Sequence, residues 1–135
     1  MNHAIEYWER ARASVLLYDK GNQFLESARF HEAIRFLEAS LRVGPDKPHA
    51  HYFVAYAYYC QGNSNRAVAE AREAIRLDGG RDLGYRARLV WIDEMTGDPV
   101  RAYEEYLEIL TVAPDHLSVR QGLVRIEKLL KEQQT

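Results

Sequence analysis

Along this chain, apolar and small residues recur at steps of three and four, and charged residues fill the positions between. From Asn63 to Leu77, Ala67, Ala71, Ala74 and Ile75 fall on one helical face, while Arg66, Glu70, Arg72, Glu73 and Arg76 take the remaining surface. Ala33, Leu37 and Leu41 draw a second stripe, with Glu32, Arg35, Glu38 and Arg42 turned to water. Strand-type alternation is missing over any useful length, and the helix formers Ala, Leu, Glu and Arg dominate. Breakers stand at regular places: Gly44-Pro45 with Pro48, Gly62-Asn63, Gly79-Gly80, Gly97-Asp98-Pro99 and Pro114. The pattern predicts an all-α chain of about seven helices, at roughly 4–27, 30–43, 48–61, 64–77, 82–96, 99–112 and 116–132.

The breakers and the small residues repeat together. Ala33, Ala67 and Ala102 lie 34 and then 35 residues apart. Around them, Phe30-His31-Glu32-Ala33-Ile34 matches Asn65-Arg66-Ala67-Val68 and Val100-Arg101-Ala102-Tyr103, and Val43-Gly44-Pro45-Asp46 matches Leu77-Asp78-Gly79 and Val112-Ala113-Pro114-Asp115. A period of this length marks a stacked array, in which each unit buries its apolar face against its neighbour. Gly21 and Ala55 are expected where paired helices approach most closely, with Ala33, Ala67 and Ala102 as the opposing small residues. The first helix is longer than a repeat needs. Its extra turns either extend it, with Ile5, Trp8 and Val15 facing the array, or are set off by a break near Ala13-Ser14. The final segment carries Leu117, Val119, Leu123, Val124, Ile126, Leu129 and Leu130 and then a polar end, which reads as a helix capping the array, with Asp115 as its N-cap.

These residues carry a resemblance to the tetratricopeptide repeat, a helix-turn-helix of about 34 residues. The second window resembles it most, through Ala57, Tyr58, Gly62, Ala67, Ala74 and Leu77; the first does so through Gly21, Phe24, Ala33, Leu37 and Pro45, and the third through Gly97, Ala102, Tyr106 and Pro114. Gly79 stands where the family has Pro, Ala28 where a Gly is usual, and the third window holds one extra residue, either at Gly79-Gly80-Arg81 or inside Asp93 to Thr96. The resemblance implies a right-handed α-solenoid of antiparallel helix pairs. One domain over 1–135 is expected, with an N-terminal helical extension 1–13, repeats 14–47, 48–81 and 82–115, and a capping helix 116–135.

In such arrays the first helix of each pair lines a groove that holds peptide segments. Carried over by matching position, the resemblance assigns that groove to Tyr18, Asn22 and Leu25, then His49, Tyr52, Tyr56, Tyr59 and Cys60. From the third window it takes Arg86, Val90 and Asp93 in one register or Trp91 and Glu94 in the other. The chain holds nine tyrosines, and Tyr52, Tyr56 and Tyr59 share one helical face, an amphipathic aromatic surface of the kind peptide grooves favour. Tyr58 is assigned to the core. The family's chaperone-binding subclass clamps a C-terminal carboxylate with Lys, Asn and Arg. Tyr18 and Phe53 stand at places where that clamp needs polar or basic groups, which argues against it here.

Composition narrows the function classes further. With 18 basic and 20 acidic residues mixed along the chain there is no basic face for nucleic acid. No window approaches the ~20 apolar residues of a membrane-spanning helix, and charges interrupt the first ten residues where a secretion signal would be apolar. Cys60 is the only cysteine, which favours a reducing, cytoplasmic setting. His49 and His51 are two apart and point to different sides of a helix, so no metal site is expected, and no cofactor motif or nucleophile constellation is present. The expected function is a non-enzymatic adaptor, scaffold or chaperone-like module binding a protein or peptide partner. The alternative is a structural module that self-associates through its terminal helices, notably around Trp8.

Overall fold

A computed structural model of the chain describes residues 3–44 and 47–134. Seven helices follow one another there: α1 (His3–Glu26), α2 (Phe30–Val43), α3 (Pro48–Cys60), α4 (Ser64–Asp78), α5 (Leu83–Thr96), α6 (Pro99–Val112) and α7 (Leu117–Gln133). No strand occurs among the described residues. Every helix end falls within one residue of the expected one. Pro45, which carries part of the repeat pattern, and Asp46 lie outside the described residues.

The period is visible in backbone geometry. Ala28, Gly62 and Gly97 all adopt left-handed conformations, with φ of 58°, 81° and 108°. After α1, Arg29 N–H donates to Phe24 C=O (2.9 Å) and Ala28 N–H to Leu25 C=O (3.0 Å); after α3, Asn63 N–H donates to Tyr58 C=O (2.9 Å) and Gly62 N–H to Tyr59 C=O (2.9 Å). After α5, Asp98 N–H reaches Asp93 C=O at 3.1 Å. These are Schellman-type closures that satisfy the last carbonyls of a helix and reverse the chain. Pro48 and Pro99 then start α3 and α6 at a position where a missing N–H costs nothing.

The chain divides into two compact units, Met1–Asp78 and Gly79–Thr135. In the first, α1 packs on α2, α3 packs on both α2 and α4, and α1 also touches α3. Ala33, Leu37, Val54, Ala55, Ala57, Ala67, Ala71 and Ala74 form its core. A Cβ on Gly21 would stand 2.7 Å from Leu37 Cγ, so the close approach expected at Gly21 is real, although Leu37 rather than Ala33 lies nearest. At the other end of the same helix pair, Ser40 Oγ donates to Ser14 C=O (2.6 Å) and Ser14 Oγ donates to Ser40 C=O (2.9 Å). This reciprocal pair satisfies two buried hydroxyls where α2 ends against α1. Since α2 has 14 residues and α1 has 24, the first turns of α1 run past the end of α2.

Two expectations are corrected here. Ile5, Trp8 and Val15 do not face the array: they lie exposed on the side of α1 opposite Ser14 and Gly21, which point to α2. Tyr58 is half-buried rather than core. Its hydroxyl donates to Glu38 Oε1 (2.7 Å) and the Arg66 guanidinium lies over its ring at 5.1 Å, so it joins α2, α3 and α4 through polar contacts.

In the second unit, α6 packs on α5 and α7. Val90, Ala102, Tyr106, Ile109, Val119 and Ile126 form the core. Gly122 lies against the Tyr106 ring, where an added Cβ would come within 2.5 Å of Cζ. The Tyr106 hydroxyl donates to Glu94 Oε1 (2.7 Å), and Arg125 holds the same carboxylate with two bonds, Nε to Oε2 at 2.9 Å and a terminal guanidinium nitrogen to Oε1 at 3.1 Å. Helix α7 begins one residue later than expected, so His116 takes the N-cap place assigned to Asp115, its Nδ1 accepting from Val119 N–H. Asp115 is exposed and reaches Arg120 at 3.8 Å. The apolar set of α7 divides: Val119 and Ile126 are buried, whereas Leu117, Val124 and Leu129 face water.

Candidate functional site

Aromatic side chains from α1 and α3 meet in the first unit. The Tyr18 ring stands edge-on to His49, with centroids 4.9 Å apart, and 6.3 Å from Phe53, which in turn meets Tyr52 edge-on at 5.2 Å. His49, Tyr52, Phe53, Tyr56, Tyr59 and Cys60 succeed one another at steps that keep them on one side of α3. The buried Ala50, Val54, Ala55 and Ala57 hold that helix in the core through its other sides, so the aromatic side is left as surface. Tyr56 also meets Phe30, the first residue of α2, at 6.3 Å. All the residues named on this side of α3 are half-buried, and Asn22 and Leu25 are half-buried on α1, one and two turns past Tyr18.

The electrostatics are those of a neutral surface. Burial lowers the pKa of His49 below its ordinary 6.5, and the nearby Lys47 charge adds to the effect, so the imidazole is uncharged at neutral pH. His51 points elsewhere, with Nδ1 2.6 Å from Glu70 Oε2, tying α3 to α4. The two histidines therefore sit in different surroundings, and no group of three His, Cys, Asp or Glu side chains placed to hold a metal occurs among the described residues. The Asn22 side-chain oxygen is closed off from water and has no hydrogen-bond partner among the described residues. An acceptor left in that state costs about 1–3 kcal/mol until a donor reaches it.

Of the residues assigned to the groove, the structure brings Tyr18, His49 and Tyr52 into one aromatic set, places Asn22 and Leu25 along the same α1 helix, and adds Tyr56, Tyr59 and Cys60 on α3. Arg86 and Val90 belong to the second unit and require a correction. Val90 is only 3% exposed and lies in the core with Ala102 and Tyr106, and Arg86, one turn before it, is on the same side of α5. Val90 follows Gly21 and Ala55 as the buried residue of its repeat, so the extra residue precedes it, at Gly79-Gly80-Arg81, where two successive left-handed glycines accommodate it. In the other register, Trp91 is half-buried under the Arg88 guanidinium, 5.1 Å from its ring, and Glu94 is held by Tyr106 and Arg125. Phe53 is not among the residues expected in the groove, yet it stands four residues after His49 and beside Tyr52, a spacing that puts it on the aromatic side.

No protein-family model matches this sequence, and no curated protein sequence matches it. Solved structures do. The chain is similar to the first TPR of Spaghetti (RPAP3) bound to an HSP90 peptide, with 19% identity, 90% of this chain and 95% of that one covered, and a TM-score of 0.78. It is similar to the Arabidopsis OM64 TPR domain, at 16% identity over 88% of this chain and 98% of that one, with a TM-score of 0.79. The Sgt2 TPR domain from Aspergillus fumigatus gives 21% identity, coverage of 90% and 81%, and a TM-score of 0.77. The repeat period, the recurring helix closures and these superpositions agree: the chain has the all-α, helix-pair fold of tetratricopeptide-repeat domains.

Proposed function

We propose that the chain is a non-enzymatic protein-interaction module, working in the cytoplasm as an adaptor or chaperone-like scaffold, which binds a segment of a partner protein on the aromatic side of α1 and α3. The observation that carries this reading is the Tyr18–His49–Phe53–Tyr52 set, which α1 and α3 bring together at the surface. Tyrosines present large apolar area with a polar tip at low entropic cost, which suits a surface that receives a peptide segment. The Spaghetti domain of the same fold holds an HSP90 peptide, which supports peptide binding as the mode. The side chains differ in kind from a carboxylate clamp, because Tyr18 and Phe53 face each other as rings. The expected ligand is therefore an apolar or aromatic segment rather than an acidic C-terminus.

Selection of random peptides on the folded chain, followed by backbone amide shift mapping with a selected peptide, tests this. Shifts are expected at Tyr18, Asn22, His49 and Tyr52, and Tyr52→Ala, Tyr56→Ala and Tyr59→Ala combined should abolish binding with an unchanged far-UV circular dichroism spectrum. Unaltered affinity in the triple variant, or shifts confined to the outer side of α2 and α4, would refute it.

A further inference from the structure

Two guanidinium groups on α2 are left unmatched by the rest of the fold. Arg35 and Arg42 are exposed, and neither makes a hydrogen bond or ion pair among the described residues. Carboxylates stand at the helical spacings that would serve them: Glu32 three residues before Arg35, and Glu38 three after it and four before Arg42. Both are drawn off. Glu32 accepts from the Arg29 guanidinium at 3.1 Å, while Glu38 accepts from the Tyr58 hydroxyl at 2.7 Å and pairs with Arg66 at 3.6 Å. Glu6, which reaches His3 at 3.8 Å, and Glu9 line the neighbouring crevice beside Val43, and neither forms an ion pair with Arg42.

Between the two arginines the surface is apolar. Leu17 of α1 with Phe36 and Ala39 of α2, all half-buried, line a crevice that Arg35 and Arg42 border along the helix. Phe36 meets Phe24 at 5.3 Å, and the Lys20 ammonium lies over the Phe24 ring at 5.2 Å, so the α1 edge adds a further positive charge. Charge and spacing together say what fits. Arg35 and Arg42 are two turns apart, about 10.5 Å along the axis. A second helix running beside α2 repeats that distance on one face with residues seven apart, and the positions midway between them point at the apolar floor. We propose that this crevice docks an acidic amphipathic helix of a partner protein, whose two carboxylates, seven residues apart, take Arg35 and Arg42 and whose apolar side chains between them cover Leu17, Phe36 and Ala39. A planar guanidinium receives a carboxylate through two parallel bonds, so the rim fixes the register while the floor excludes water. This surface shares no residue with the aromatic side of α1 and α3, so the two sites bind their segments independently.

Titration of the full chain with an acetylated helical peptide of Ala and Gln, carrying two Glu seven residues apart and a Leu pair midway, tests the proposal through backbone amide shifts. Shifts are expected at Leu17, Phe36 and Ala39. Arg35→Gln and Arg42→Gln should each weaken binding about tenfold with unchanged circular dichroism, since both side chains are exposed. The same peptide with its two Glu five residues apart, on different sides of its helix, should bind no better than one lacking both. Tyr58→Phe combined with Arg66→Gln alters nothing that touches the peptide but releases Glu38 to Arg35 or Arg42. That pair should weaken binding severalfold, and adding Glu38→Gln should restore it. Absence of saturable shifts at these residues up to about 1 mM peptide overturns the inference. So do shifts confined to Tyr18, His49 and Tyr52, binding indifferent to both arginine variants, or capture by phosphatidylserine vesicles without any peptide binding.

Discussion

Gly122 shows how much can depend on one missing methyl group. The Tyr106 ring lies over it and cannot retreat, because its hydroxyl is bound to Glu94, whose carboxylate is fixed in turn by Arg125. Burial and the adjacent carboxylate push the Tyr106 phenol far above its ordinary pKa, so it stays a donor in this arrangement. Gly122→Ala should therefore destabilise the protein by about 1–3 kcal/mol despite the better helix propensity of Ala, measured by urea unfolding. A variant as stable as the parent would mean that the ring moves freely. Nothing in the spacing of α7 distinguishes Gly122 from a tolerated helical glycine, since the reason for it lies sixteen residues earlier in α6.

At the level of the element, the three homologous closures at Ala28, Gly62 and Gly97 offer an internal comparison. Two are glycines; Ala28 holds a left-handed φ of 58° against its own Cβ. The sequence marks Ala28 as a departure from the family pattern, and the structure shows that the turn keeps its geometry regardless, because Arg29 N–H and Ala28 N–H still reach their carbonyls. The strain is thus borne by the residue. Ala28→Gly should raise stability by about 0.5–1 kcal/mol, once the added freedom of the unfolded chain is subtracted from the relief of a left-handed Ala. A thermal midpoint equal to or below that of the parent would contradict this. The facing of α5 is the opposite case. Periodicity alone leaves two registers for Val90 and Trp91, and burial of Val90 against Ala102 and Tyr106 chooses between them.

For the whole molecule, the shifted ionisable groups define a pH window. His49 has a lowered pKa, so its contribution is present above 6.5 and is lost as pH falls through the folded-state value. Tyr58 and Tyr106 have raised pKa values, chiefly through burial, so their contribution is complete below 10.0 and is lost as pH rises. Glu105 acts in the opposite sense to His49 at acid pH, because burial raises its pKa and its protonated form is favoured in the fold. The His49 contribution to unfolding free energy should decline as pH falls below about 6.5 and the tyrosine contributions as pH rises above about 10, and His49→Gln should flatten the initial acid limb. An acid limb identical in that variant would show that other groups control it.

The sequence by itself determined the helices, the period and the residues that could form an aromatic side, because 3.6-residue periodicity and chain-reversing glycines act within a few residues of one another. Tertiary structure alone decided which of those residues serve the core and which remain as surface. Val90 and Tyr58 exchanged the places expected of them, Ile5 and Trp8 turned outward, and Glu94 was taken into a network with Tyr106 and Arg125. The physical reason is that burial depends on which neighbouring helix arrives on each side. A periodic stripe records only that some side is apolar, not what meets it.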